Sequence, residues 1–189
     1  MLAFIPPTVL SPLLSLFIFI VGHGLLSTLL TLRLNAEGAA AGWIGLVSSA
    51  YFAGLVLGAF VNVRLIQRIG HIRAYAAYAS LLAVLALCHG LWVDPLIWSG
   101  LRLVGGFATG GLFVVIESWM LVSSSSVTRG RLMAFYMILL YGGLAAGQWL
   151  LRFIDPLQLS PFALAAISAS LSVLPLALTR VPLPQTGTA

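Results

Sequence analysis

Polar positions are few along this chain, and they fall at intervals. Cutting the sequence at its charges and turn residues leaves six apolar runs, roughly 11–32, 43–63, 74–93, 96–119, 132–151 and 160–179. A helix needs about 20 apolar residues to cross ~30 Å of hydrocarbon at ~1.5 Å per residue, and each run is about that long. The runs are continuously apolar, without the alternation of barrel strands, so helices are expected rather than a barrel. The connections between them are too short to hold a soluble domain. The pattern therefore predicts one all-α transmembrane domain of six helices over residues 1–180, followed by a tail over 181–189.

Composition adds the solvent. Of 189 residues, 61% are apolar and only 7% charged. Soluble domains are near a quarter charged, so most of this surface has to meet a lipid bilayer. The nine arginines lie scattered between apolar runs and form no contiguous basic face, so nucleic acid is not an expected partner. Cys88 is the sole cysteine and sits inside an apolar run, which leaves no disulfide framework and no cysteine metal site. No H-E-x-x-H, G-x-S-x-G or Walker loop occurs, so neither an enzyme nor a metal or cofactor is expected. The stretch Asn35-Ala36-Glu37-Gly38-Ala39-Ala40-Ala41 has the look of a signal-peptidase site, but no basic residue precedes Arg33 and the apolar stretch is long. A retained first helix is the expectation. Trp43, Trp92, Trp98, Trp119 and Trp149 all fall near run ends, where indoles favour the headgroup level.

Charge sets an orientation. Residues 64–73 read RLIQRIGHIR, a third of the arginines in ten positions. Alternating connections place Arg64, Arg68, Arg73, Arg129, Arg131 and Arg180 on one side of the membrane. Only Arg33 and Arg152 fall on the other, in company with Glu37, Asp94 and Asp155. By the positive-inside rule both termini are cytoplasmic, in a multi-pass protein of the cell's inner membrane.

Helix two carries Gly54 and Gly58, helix five Gly143 and Gly147, each a small-xxx-small face that lets helix backbones approach. Each is the middle helix of a three-helix half, which fits a 3+3 inverted repeat; two independent packing faces remain the other reading. The turn Gln67-Arg68-Ile69-Gly70-His71-Ile72-Arg73 resembles the D-R-x-G-R-type signature between helices two and three of the major facilitator superfamily. Gln67 stands at the aspartate position and His71 at that of the first arginine after the glycine. Arg102-Leu103-Val104-Gly105-Gly106 resembles the family's helix-four signature, and Arg129-Gly130-Arg131 its turn before helix five. With Ile116-Glu117-Ser118-Trp119, the set is most similar to the N-terminal six-helix half of the YcaD-like branch.

The resemblance implies a secondary transporter that moves a small-molecule substrate by alternating access between two six-helix halves. Val181-Pro182-Leu183-Pro184-Gln185 looks like the start of the family's central loop. A second half is implied as a partner, either another copy or a missing C-terminal half. The alternative is a non-transporting scaffold or a truncated, inactive fragment.

Three residues are candidates for the substrate or proton path. Arg102 lies seven residues past Pro95, ~10 Å inside the boundary, where a charge costs roughly 2.5–3.5 kcal/mol and tends to face a cavity or a partner. Snorkelling to the interface is the alternative. His23, between Gly22 and Gly24, reaches a similar depth; it either lines the path or hydrogen-bonds a neighbouring helix. Gln148 on helix five is the third, with Tyr136 and Tyr141 as further cavity or core positions. Glu117 is expected at the cytoplasmic boundary, ion-paired with an arginine of the Arg68–Arg73 or Arg129–Arg131 turns and acting as a gate. Gly105 and Gly106 join Gly54, Gly58, Gly143 and Gly147 as packing positions.

The orientation can be tested by cysteine labelling from outside intact cells in a Cys88→Ser background. His71→Cys and Ser125→Cys should stay unlabelled while Ala39→Cys reacts; the reverse pattern overturns the topology.

Overall fold

A backbone in hydrocarbon has to close its hydrogen bonds within its own segment, and each apolar run does so as a helix. The computed structural model describes residues 7–125 and 127–178. They form α1 (Pro7–Ala36), α2 (Ala41–Ile69), α3 (His71–Leu91), α4 (Pro95–Val122), α5 (Arg129–Leu150), α6 (Ser160–Leu171) and α7 (Leu174–Leu178), with a 3-10 turn at Leu151–Phe153. No strand occurs among the described residues. Six spans are long and apolar enough to cross a membrane, α6 and α7 together making the sixth. The chain is an all-α membrane protein. The expected tail, 181–189, and Arg180 lie outside the described residues.

The helices overrun the apolar runs because a charge does not end a helix. Arg64 and Arg68 are ordinary residues of α2, which stops only at Gly70. There φ is 85° and ψ 156°, a region open essentially to glycine alone. This one residue is the whole connection to α3, so the signature turn is a glycine pivot flanked by arginine-bearing helix ends. At the start of α4 the Asp94 carboxylate accepts the Leu96 and Ile97 N–H groups, each at 2.9 Å, and Pro95 fills the position where no N–H is needed. The run 160–179, expected as one helix, is interrupted instead. Pro175 has no N–H and its ring would meet the Leu171 carbonyl, so α6 ends and α7 restarts.

α2 packs along α4, α1 along α5, and α3 lies between α4 and α6, while α6 returns to α1. Around the bundle the order is α5, α1, α6, α3, α4, α2. α1 barely meets α2, and α4 barely meets α5, which leaves a gap between the two pairs. The pairs themselves touch backbone to backbone. A methyl group added at Gly54 would lie 1.9 Å from the Leu103 carbonyl oxygen, and one at Gly106 2.0 Å from that of Tyr51. On the other side, one at Gly147 would lie 2.1 Å from the Val21 oxygen, and one at Gly24 2.7 Å from the Leu144 oxygen. Gly58 approaches Phe107 and Gly143 approaches Ile20 in the same two seams. Gly105 does not belong with them. It faces Leu82 and Leu85 of α3 with ordinary contact distances of 3.8–3.9 Å, because it is turned about 100° away from Gly106 on the helix.

Polar groups pin the bundle at both ends. Asn62, fully buried on α2, donates from Nδ2 to the Phe107 oxygen at 2.9 Å and accepts the Tyr78 hydroxyl at 2.7 Å, tying α2, α4 and α3. Arg33 pairs with Glu37 at 2.9 Å and donates to the carbonyls of Pro156 and Leu157, closing the end of α1 onto the loop before α6. Two tryptophans correct the headgroup expectation. Trp98 and Trp119 are buried, at 0% and 1% exposure, and Trp98 donates its N–H to the His89 and Trp92 carbonyls. Nearness to a helix end gives depth but not facing, and these two face inward; Trp43, Trp92 and Trp149 are the exposed ones.

The seam makes a paired prediction. Gly106→Ala should lower the thermal midpoint of the detergent-solubilised protein, by the equivalent of about 1–3 kcal/mol of overpacking. Gly105→Ala, one residue away, should leave it within about 0.5 kcal/mol of the native protein.

Candidate functional site

The close approach at Gly106 decides what stands one turn above it. Arg102 and Gly106 are four residues apart and share one face of α4. Because Gly106 admits the Tyr51 backbone, the Tyr51 ring rises under Arg102, whose guanidinium carbon lies 4.0 Å from the ring centroid. A cation over an aromatic face is attracted by the ring quadrupole, by about 2 kcal/mol when desolvated. Tyr51 then reaches α1: its hydroxyl and His23 Nε2 are hydrogen-bonded at 3.1 Å. Ser27, one turn along α1, approaches the same nitrogen at 3.4 Å. Phe19 stacks on the far side of the His23 ring. The structure thus joins Arg102 and His23, the two intramembrane candidates of α4 and α1, through a tyrosine on α2.

All three line a cavity of about 570 Å³ in the gap between the helix pairs. Its polar end is made by Arg102, His23, Tyr51, Ser27 and Ser48, and its walls by Ile20, Phe52, Leu55, Phe113, Leu140 and Leu144. Arg102 is 9% exposed and has no ion-pair partner among the described residues. Behind it lies a second space of about 20 Å³, lined by His23, Tyr51, Arg102, Thr109 and His89. His89 is 2% exposed. It donates Nδ1–H to the Leu85 carbonyl at 2.6 Å, which leaves Nε2 as an acceptor with no partner among the described residues.

Other sequence candidates lie elsewhere. Gln148 does not line the cavity; it is exposed one turn beyond Leu144 on α5. Tyr141 is at the rim, 66% exposed, whereas Tyr136 is buried and donates its hydroxyl to Glu117 Oε1 at 2.9 Å. Glu117 thus makes this bond, and the expected ion pair with an arginine is not formed among the described residues. Gln67, Arg68, Arg73, Arg129 and Arg131 are exposed, and Arg33–Glu37 is the sole ion pair among the described residues. Long side chains that stay solvated gain little from closing such a pair, while the half-buried Glu117 turns to the neighbouring helix. Gly70 acts as the pivot described above.

Sequence reasoning missed Tyr51 and Ser48, and it sets His89 aside as lying near the outer end of a peripheral helix. For Tyr51 a signal existed: it precedes Gly54 by three residues and so shares the glycine face that meets α4. His89 is an ionisable group inside a span, which by itself warranted a place beside Arg102.

Relatives exist for most of the chain. It is 35% identical over 170 residues to an uncharacterized MFS-type transporter of Yersinia enterocolitica, covering 89% of this chain and 44% of the relative. An uncharacterized MFS-type transporter of an Enterobacter species is 34% identical over 92% of this chain and 45% of its own length. The uncharacterized MFS-type transporter YcaD of Escherichia fergusonii is 35% identical over 85% and 42% respectively. The chain therefore spans less than half the length of these relatives. No family model matches it. No solved structure matches it. With six spans, an arginine in the fourth and a glycine pivot between the second and third, the chain is similar over most of its length to part of these MFS-type transporters, YcaD among them, and its coverage fits a six-helix half of one.

Proposed function

We propose that this chain forms one wall of a secondary transporter that carries a small solute by alternating access. The observation that carries the reading is the joined Arg102–Tyr51–His23 group facing a cavity between α1, α2, α4 and α5. Ionisable groups inside a span line a path or bind a partner far more often than they face lipid. The names of the relatives, all MFS-type transporters, point the same way.

The proposal includes the inner membrane as location, both termini in the cytoplasm, and a second six-helix half, either another copy or a C-terminal half, as the opposing wall. It also includes the 3+3 inverted repeat. Exchanging α1 with α4, α2 with α5 and α3 with α6 turns the pairing α2–α4 into α5–α1 and α3–α4 into α6–α1, so the pairing scheme maps onto itself. That invariance supports a repeat. Arg102 and His23 are the path residues of this reading, while Gln148 stands outside the cavity.

Two-sided access separates a transporter from a scaffold of the same fold. In a Cys88→Ser background, Ser48→Cys and Leu144→Cys place thiols in the cavity. An impermeant maleimide should label both from outside in intact cells and from inside in inverted vesicles. Labelling from a single side at both positions would make the molecule a static scaffold and overturn the proposal.

A further inference from the structure

Four acidic residues exist in the chain, and the position of each bears on Arg102. Glu37 is paired with Arg33 at 2.9 Å. Asp94 caps α4 through two backbone N–H groups. Asp155 accepts the Leu157 N–H at 2.9 Å and the Gln158 amide at 3.4 Å. Glu117 accepts from Tyr136 and lies fifteen residues from Arg102 on the same helix, ~22 Å away. The chain thus has no carboxylate to set against its one intramembrane cation. A buried charge is stable when it is paired and costly when it is not. The partner has to come from outside these residues, and the cavity is the open side on which Arg102 can meet it.

Geometry narrows what that partner is. The Tyr51 ring centroid lies 4.0 Å from the guanidinium carbon, a contact that uses the cation's charge and not its N–H donors, so an acceptor can still approach in the guanidinium plane. A carboxylate accepts two such parallel bonds. The Ser48 hydroxyl beside it donates to the Ile44 carbonyl at 3.0 Å and the Ser27 hydroxyl approaches His23 Nε2 at 3.4 Å, so the guanidinium is the main donor at this end. There is a single cation at this end of the cavity, which matches one negative charge and not the nearly two of a phosphate monoester. The remaining walls are aliphatic and aromatic, so the body of the ligand is apolar. We infer that the cavity takes a small organic monocarboxylate, its carboxylate on the Arg102 edge and its apolar body against Phe52, Phe113, Leu140 and Leu144. This inference rests on the transport reading above.

Benzoate is the probe, with benzylamine, benzyl alcohol and inorganic phosphate as comparators at matched ionic strength. The protein in lipid nanodiscs is unfolded by heat while tryptophan emission is followed. Benzoate at tens of millimolar should raise the midpoint by about 2–5 °C, since a ligand that binds only the folded state stabilises it. The comparators should leave the midpoint unchanged. Arg102→Gln should abolish the benzoate shift while inserting at least as well as the native chain, because an intramembrane charge has been removed. Ser99→Ala, outside the cavity, should keep the shift. An equal rise with benzyl alcohol or benzylamine, a rise with phosphate alone, a benzoate shift that survives Arg102→Gln, or no benzoate shift at all would each overturn the inference. If the inference fails while Ser48→Cys and Leu144→Cys still label from both sides, the substrate class falls and the transport reading stands.

Discussion

Where Gly106 meets the carbonyl of Tyr51, two helices touch with no side chain between them, and most of what is distinctive about this molecule follows from that contact. Between lipid-solvated helices there is no hydrophobic driving force, so close van der Waals approach has to supply the association. Gly54, Gly58, Gly106 and Gly110 supply it for α2 and α4, and Gly24, Gly143 and Gly147 for α1 and α5. The two seams leave α3 and α6 as the backing and hold the pairs apart, which is why a cavity exists between them. The same contact lifts Tyr51 under Arg102. Packing and site chemistry are therefore one arrangement seen at two heights on α4.

Electrostatics then gives the cavity its character. A guanidinium held in a span against a tyrosine face, with every acid of the chain engaged elsewhere or out of reach, is an open valence. His23, linked to it through Tyr51, and His89, behind it with a ring nitrogen unpartnered among the described residues, add no negative charge of their own. Within the described residues, then, the Arg102 charge is met by an aromatic face and by no carboxylate.

Much of the architecture was legible because hydrocarbon imposes a coarse code: twenty apolar residues, then something polar. Six spans, the Arg102 and His23 candidates and the glycine faces of α2 and α5 all follow from it. Helix ends were not legible in the same way, since Arg64 and Arg68 stay helical up to Gly70, while Pro175 broke a run that apolarity alone read as continuous. Facing was the larger gap. Trp98, Trp119 and Gln148 were placed by distance along a helix, and distance leaves the azimuth free. Glu117 shows a related limit: charge counting offered it arginines, but its near neighbour across the helix gap is the Tyr136 hydroxyl.

The spacing of Arg102 and Gly106 has an evolutionary consequence. The contact that sets the distance between α2 and α4 is made by backbone and glycine, while the groups that meet the cavity, Arg102, Tyr51, Ser48 and Phe52, are side chains that the seam does not need for its closeness. Replacing any of these side chains alters the lining and leaves the helix separation intact. A lineage holding the glycines constant can therefore vary the chemistry of the cavity by single substitutions, each tried on an unchanged frame.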